Sequence, residues 1–280
     1  MKSIKKRILA ALICIAGLLT VCAAAADAAP REERVYVPII MYHEVKPRRP
    51  GKDAIYPEEL RADLEYLKAN GYTAVTIEDL IAYCGGGTLP EKCVVLSFDD
   101  GYLNNYLYAV PLMEEYGMKM VLSVIGSNAD DFTQYPSDNV DYAHMTWAQL
   151  KELSDSGRVE IQNHSYGLHS LGARRGCAQM AGESDSAYEE FFAGDVMYLQ
   201  EEMAAELGKT PTAFAYPYGI YSDLSEGVLM ELGFKATLTC DYGVNVLTGD
   251  PEELFGLKRI CRSHGDNMGK LLEKAMKTVS

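Results

Sequence analysis

Short apolar runs alternate with amphipathic stretches along most of the chain. Cys93–Phe98 is a short apolar run of the kind that forms a buried strand. The stretch 57–70 instead places Leu60, Leu64 and Leu67 on one helical stripe. Such alternation is typical of parallel strands joined by helical crossovers. Since we count seven or eight strands, the pattern predicts one α/β domain built as a closed or partly closed (β/α)7–8 barrel.

The same reasoning predicts the other elements. The expected strands cover residues 35–42, 73–75, 119–125, 159–162, 212–215, 234–238 and 258–261. The expected helices cover residues 76–83, 102–116, 146–156, 185–207, 222–232 and 267–277. Two polar stretches, 126–145 and 170–184, are predicted as long loops that shape a groove, with plain surface insertions as the alternative.

The first residues are typical of an export signal. Basic residues precede the apolar run 8–21, and the small residues 23–26 follow it, which is the order found in secretory signal peptides. We therefore expect a signal peptide over 1–26 and a catalytic domain over 27–280, secreted or extracytoplasmic. A lipoprotein site at Cys22 and an uncleaved anchor are the alternatives, and an uncleaved N-terminus would hold the protein at the cell surface.

The charge balance argues against nucleic acid as a partner. The chain has 26 Lys and Arg against 40 Asp and Glu, a formal net charge of −14. The predicted signal peptide contains four basic residues and no acidic one. Its removal therefore changes the formal net charge from −14 to −18. Phosphate binding needs basic patches, and the sequence contains neither a dinucleotide-binding nor a phosphate-loop glycine motif.

The cysteines offer one plausible disulfide. Five of the seven lie in the predicted mature region: Cys84, Cys93, Cys177, Cys240 and Cys261. An odd number without a C-x-x-C pair argues against a structural zinc site. Because export permits disulfides, we expect Cys84 to pair with Cys93 across a glycine-rich turn; five small buried hydrophobic residues are the alternative.

Two adjacent carboxylates, Asp99 and Asp100, come directly after the apolar run Cys93–Phe98. Buried carboxylates need compensating charge, and a neighbouring pair repels unless a cation lies between them. His164 and His169 follow another predicted strand, and groups at strand ends meet on one rim of a barrel. One carboxylate and two imidazoles make a divalent-metal site with open positions, which leaves the second carboxylate to act as a base on metal-bound water. The pattern predicts a hydrolase.

An aromatic turn, residues 214–219, follows a further predicted strand. Pro217 fixes one backbone dihedral angle, and Gly219 allows the chain to pass tightly. The backbone N–H of Tyr218 is then free to point at an oxyanion. A core aromatic turn without a catalytic role is the alternative.

Together these motifs resemble the polysaccharide deacetylases of carbohydrate esterase family 4, the NodB-homology group. The matching segments follow the family order and span nearly all of the mature chain: 38–43, 71–76, 97–101, 145–147, 164–169, 214–219 and 257–260. Within that group the chain is most similar to the exported deacetylases of poly-β-1,6-N-acetylglucosamine. The resemblance implies a distorted (β/α) barrel, an N-acetylated polysaccharide as substrate and release of acetate.

The resemblance also implies roles for individual residues. Asp99 would be the general base, and Asp100, His164 and His169 would bind a divalent ion, zinc or else cobalt, nickel or manganese. An O-acetyl esterase acting on xylan or peptidoglycan with the same centre is the alternative enzyme. The alternative from another functional class is a catalytically inactive barrel that binds sugar. The sequence leaves the oligomeric state open.

The chain departs from the family pattern at two places. Ala215 stands where many members have an arginine that steadies the base, so Arg259 could replace it, with a merely structural arginine as the alternative. The L-x-H motif that carries the general acid in many members is also missing around His264. We therefore expect His43 to be the general acid, with His264 as the alternative and a core histidine as the non-catalytic reading of His43.

Overall fold

The structure, a computed structural model, describes residues 34–279. The predicted signal peptide, residues 1–26, lies outside this part of the chain. Within the described residues, no helix combines the length and the apolar character needed to cross a membrane.

Strands of two to six residues follow one another along the described chain. They are β1 Val35–Val37, β2 Ile39–Tyr42, β3 Glu44–Val45, β4 Ala54–Ile55, β5 Thr73–Val75, β6 Cys93–Phe98, β7 Met120–Val124, β8 Val159–Asn163, β9 Ala213–Ala215, β10 Ala236–Leu238, β11 Asn245–Leu247 and β12 Ile260–Cys261.

Helices connect most of these strands. They are α1 Pro57–Ala69, α2 Ile77–Cys84, α3 Val110–Tyr116, α4 Gly126–Gln134, α5 Trp147–Asp155, α6 Asp185–Leu207, α7 Asp223–Glu231 and α8 Met268–Met276. A π-helical turn covers Asn105–Ala109, and 3₁₀ turns cover Pro217–Gly219 and Pro251–Leu254.

Eight strands form one parallel sheet, in the order β10-β9-β8-β7-β6-β2-β12 with β5 alongside β6. The segment 257–261 joins the two ends of this sheet. Leu257 makes a parallel bridge to Leu238 of β10, and β12 pairs in parallel with β2. The predicted barrel is therefore confirmed, in the distorted form that the resemblance implies.

The residues of β6 alternate between two apolar clusters, as the period of a strand requires. Val94 and Leu96 pack outward with helix side chains such as Leu64. Val95 packs with Ala213 and other small residues of the facing strands. Because side chains alternate along the chain, Asp99 points to the same side as Val95. Its carboxylate therefore emerges at the carboxyl end of the barrel.

Part of the predicted loop 126–145 is helical. Helix α4 begins without a side-chain cap and has a mostly polar sequence, so the apolar pattern gave no signal for it. Tertiary contacts stabilise it instead. The Trp147 indole N–H donates to Asp130 at 2.7 Å, and the Trp147 backbone N–H donates to the Thr133 hydroxyl at 2.9 Å. The second predicted loop, 170–184, contains neither helix nor strand.

The expected Cys84–Cys93 disulfide is absent. The Cys84 thiol lies 3.6 Å from the carbonyl oxygen of Asp250, and the Cys93 thiol lies 4.0 Å from that of Tyr36. The glycine-rich turn therefore separates two thiols that contact different strands or loops. The disulfide prediction was wrong because spacing in the sequence does not fix the direction in which each side chain points.

Candidate active site

The backbone at the end of β6 turns sharply at the two carboxylates. Asp100 has φ 72°, a left-handed conformation that costs free energy for a residue other than glycine. Gly101 follows with φ 77°, and a Cβ there would lie 3.2 Å from the Val124 side chain. Ser165 and Tyr218 share this conformation, with φ 68° and 58°. Strained backbone is thus concentrated where the candidate site residues lie.

Asp100, His164 and His169 come together as the sequence suggested. Asp100 Oδ1 lies 3.5 Å from His164 Nε2 and 3.2 Å from His169 Nε2, and the three candidate ligand atoms all lie within 4.8 Å of one another. This Oδ1 atom is buried and has no hydrogen-bond partner among the described residues. A buried carboxylate oxygen facing two imidazole nitrogens fits a divalent cation.

The imidazole of His164 is held in the orientation that a metal ligand needs. Its Nδ1 lies 2.6 Å from the carbonyl oxygen of Ala215, at the end of β9. A proton on Nδ1 donates to that carbonyl, so the lone pair of Nε2 points at Asp100. His169 is supported differently: its ring packs on the ring of Tyr218, with centroids 4.3 Å apart.

Asp99 forms a buried ion pair with Arg259. Arg259 Nη1 lies 2.8 Å from both carboxylate oxygens, and it also donates to the Ser97 hydroxyl at 3.1 Å. Its Nε donates to the carbonyl oxygen of Thr239 at 2.7 Å. The guanidinium is therefore fixed by β6 and by the chain after β10, and it holds the carboxylate in one place.

Both carboxylates are ionised in spite of their burial. Burial acts to raise the pKa of Asp99, but the charges of Arg259, His164 and His43 and the hydrogen bond from Arg259 together outweigh it, so the pKa lies below its ordinary value. Burial acts in the same direction on Asp100, whose pKa is nevertheless held well below the usual range by His164 and then His169. An ionised Asp100 is the form that can bind a cation, and an ionised Asp99 is the form that can accept a proton.

The aromatic turn after β9 places Tyr218 at the mouth of the site. Its side chain is 41% exposed, and its backbone N–H donates to no acceptor within the described residues. A Cβ on Gly219 would lie 2.5 Å from Cys240 Cβ, so the close approach of these two segments requires glycine. The turn thus presents one backbone donor beside the Asp100, His164 and His169 cluster.

The two candidate acid histidines lie in different places. His43, directly after β2, lines the same cavity of about 300 Å³ as the two carboxylates. His264 lies outside this cavity: its Nδ1 is 2.8 Å from Glu59 Oε2, and its ring packs edge-on against Tyr56. Only His43 of this pair has access to the cavity.

The cavity is also lined by four residues that the sequence motifs did not indicate: Glu44, Asp53, Tyr102 and Cys240. Tyr102 follows the Asp-Asp-Gly motif directly, and this proximity was the one available signal for it. Burial raises the pKa of Tyr102, and the negative charges of Asp100 and Glu44 raise it further. The phenol therefore stays protonated. Glu44 begins the two-residue strand β3, and Asp53 and Cys240 come from loops whose path the sequence does not specify.

A family model described as polysaccharide deacetylase matches residues 86–237, which is more than half of the chain. A poly-β-1,6-N-acetyl-D-glucosamine N-deacetylase of Escherichia coli K12 is 27% identical over 66% of this chain, but the match spans only 30% of that protein. YxkH of Bacillus subtilis, named as a polysaccharide deacetylase, is 27% identical over 84% of this chain and 74% of its own.

The fold agrees with these sequence matches. The solved structure of a de-N-acetylase from Aggregatibacter actinomycetemcomitans aligns with a TM-score of 0.74 and 25% identity. The alignment covers 86% of this chain and 99% of that one.

Proposed function

Since the chain belongs to the polysaccharide deacetylase family, we propose that it is a metal-dependent hydrolase. It removes N-acetyl groups from an N-acetylglucosamine polysaccharide and releases acetate. The observation that carries this proposal is the unpartnered, buried Asp100 Oδ1 facing His164 and His169, with the Asp99–Arg259 ion pair next to it. The activity belongs outside the cytoplasm if the predicted export signal functions.

Asp100, His164 and His169 would hold the metal. When bound there, a divalent ion would supply Lewis-acid chemistry, lowering the pKa of a water molecule and polarising the acetyl carbonyl. Two imidazoles with one carboxylate suit zinc, and cobalt, nickel or manganese accept the same ligands. The Ala215 carbonyl fixes the orientation of His164 before any ion arrives.

Asp99 is the proposed general base. It is ionised, buried and adjacent to Asp100 in the chain, so it can accept a proton from the attacking water. Arg259 is a positioning residue in this scheme, because it contacts the carboxylate rather than the substrate. It stands in for the arginine missing at Ala215.

His43 and Tyr218 would complete the reaction. His43 lines the cavity and can donate a proton to the departing amine nitrogen. The backbone N–H of Tyr218 can donate to the acetyl oxygen as negative charge develops on it. Acetate and a free glucosamine amine are the products.

The substrate we propose is a β-1,6-linked N-acetylglucosamine polymer. The support is the name of the Escherichia coli relative, together with a cavity open enough for a sugar residue. Because the chain spans under a third of that relative's length, whole-protein partners do not transfer with the name.

Acetate release across a panel of acetylated glycans tests this function. The panel contains β-1,6-linked N-acetylglucosamine oligomers, chitooligosaccharides, peptidoglycan and acetylxylan, each with the metal-stripped and the reloaded protein. We expect metal-dependent release, fastest from the β-1,6-linked oligomers. Faster release from acetylxylan would favour the O-acetyl esterase, and no release from any substrate would favour a binding protein.

The two histidines give a separate prediction. We expect His43→Ala to lower kcat about 100-fold, since general acid catalysis contributes roughly 10²–10⁴-fold. His264→Ala is the matched control, and its kcat should stay within about twofold of wild type because the residue lies outside the cavity. Acetate release by both variants, with metal content checked in each, measures this. A larger loss in His264→Ala than in His43→Ala would reverse the assignment.

A further inference from the structure

Tyr102 lies on the wall of the cavity, two residues beyond Asp100. Its ring is stacked on the ring of His144, with centroids 4.4 Å apart and planes 29° apart. Its hydroxyl makes no hydrogen bond to another described residue. A rigidly supported phenol therefore faces the cavity with its donor unused.

Backbone hydrogen bonds fix the segment that carries Tyr102. Tyr102 and His144 form an antiparallel bridge. On either side of it, the Leu103 N–H donates to the Ala143 carbonyl at 2.8 Å, and the Met145 N–H donates to the Gly101 carbonyl at 2.9 Å. The chain after the Asp-Asp-Gly motif is thus attached to the end of the segment 126–145.

Two residues of the segment 126–145 hold the His144 ring in place. Its Nε2 lies 3.0 Å from Asn128 Nδ2, and its ring packs against Phe132 at a centroid distance of 5.4 Å. Burial lowers the pKa of His144 to about 4, so the imidazole is neutral at neutral pH. The segment 126–145 supplies no residue to the cavity wall, yet it supports a residue that lies there.

We propose that Tyr102 determines specificity for the sugar: its hydroxyl donates a hydrogen bond to a hydroxyl oxygen of the residue that carries the acetamide. His144 is the positioning residue that holds the phenol in place. This inference rests on the proposed deacetylase function. Because Tyr102 is so close to Asp100 in the chain, it meets the reacting sugar rather than a distant one.

Two substrates separate contact with the sugar from contact with the acetyl group. For Tyr102→Phe we expect KM for a β-1,6-linked N-acetylglucosamine pentamer to rise about fivefold, the typical worth of one net hydrogen bond. We expect kcat for the pentamer, and both constants for 4-nitrophenyl acetate, which has no sugar, to stay unchanged. Tyr106→Phe is the matched control, since its hydroxyl donates to Glu152 at the surface. Equal losses on both substrates, or an unchanged KM for the pentamer, would overturn the proposal.

The positioning role of His144 has its own measurement. His144→Ala should raise KM for the pentamer with kcat unchanged, and it should add little further when Tyr102 is already phenylalanine. Thermal melting of each variant shows whether it is folded. Fully additive effects in the double variant would mean that His144 does not act through Tyr102.

Binding of the pentamer to the inactive Asp99→Asn protein keeps this inference separate from the proposed function. If wild type releases no acetate but Asp99→Asn binds the pentamer, the deacetylase function is wrong. The inference is still decided, because adding Tyr102→Phe should raise the Kd about fivefold. A protein that does not bind the pentamer at all contradicts both.

Discussion

Replacing Asp99 by asparagine should lower kcat by at least about 100-fold, because general base catalysis contributes roughly 10²–10⁴-fold. Asparagine has nearly the same shape and can still accept a hydrogen bond from Arg259, so the fold should persist. It cannot take up a proton from water. Metal content should match wild type, since Asp100, His164 and His169 are untouched. Acetate release and elemental analysis of the same sample measure both effects.

A second buried carboxylate–arginine pair supplies the control. Asp63 binds Arg262 as Asp99 binds Arg259, but neither Asp63 nor Arg262 lines the cavity. Asp63→Asn should therefore lower thermal stability while leaving kcat unchanged at temperatures where the variant is folded. Wild-type turnover in metal-loaded Asp99→Asn would refute the role of Asp99 as base.

Arg262→Met should destabilise the protein by about 3–5 kcal/mol, the usual cost of removing one partner of a buried ion pair. Arg262 Nε donates to Asp63 Oδ2 at 2.7 Å, and Nη2 donates to Oδ1 at 3.2 Å. The Tyr42 hydroxyl, which donates to the same carboxylate at 3.2 Å, cannot supply the missing positive charge. Chemical denaturation of wild type and variant measures the loss.

The loss should depend on pH with a definite sign. Burial raises the pKa of Asp63 to about 6 even beside Arg262, and removal of the guanidinium raises it further. A carboxyl group with a raised pKa in the folded state stabilises the fold at pH values below its unfolded pKa, and this stabilisation is lost as pH rises through the folded pKa. Arg262→Met should therefore be less destabilised at pH 5 than at pH 8.

Two further variants test the source of this effect. Arg61→Met removes an exposed ion pair between α1, the helix that also carries Asp63, and Glu115 of α3, and it should leave the melting temperature unchanged. Adding Asp63→Leu to Arg262→Met removes the unpaired charge and should restore much of the lost stability. If Arg61→Met destabilised the protein as much as Arg262→Met does, this explanation would be contradicted. It would also be contradicted if the destabilisation by Arg262→Met did not change with pH.

The sequence predicted the barrel because each strand and helix leaves a local apolar pattern. Thr73–Val75, Cys93–Phe98 and Asp185–Leu207 have the bounds expected from that pattern. Convergence of Asp99, Asp100 and His164 was also predictable, since the carboxyl ends of parallel strands meet on one rim.

Long-range contacts without a local pattern were not predictable. Tyr102 and His144 are joined by an isolated bridge although they are 42 residues apart, and Asp63 and Arg262 are 199 residues apart. Helix α4 depends on Trp147 rather than on its own sequence. Each of these features is fixed by tertiary packing, so apolar periodicity could not reveal it.

Titration of zinc into the metal-free protein, with binding measured by calorimetry, tests the central claim most directly. The account predicts one tight site per chain in wild type and in His264→Ala, and loss of that site in His164→Ala. Equally tight binding of one zinc ion by folded His164→Ala would show that the ion is held elsewhere and would contradict the proposed centre.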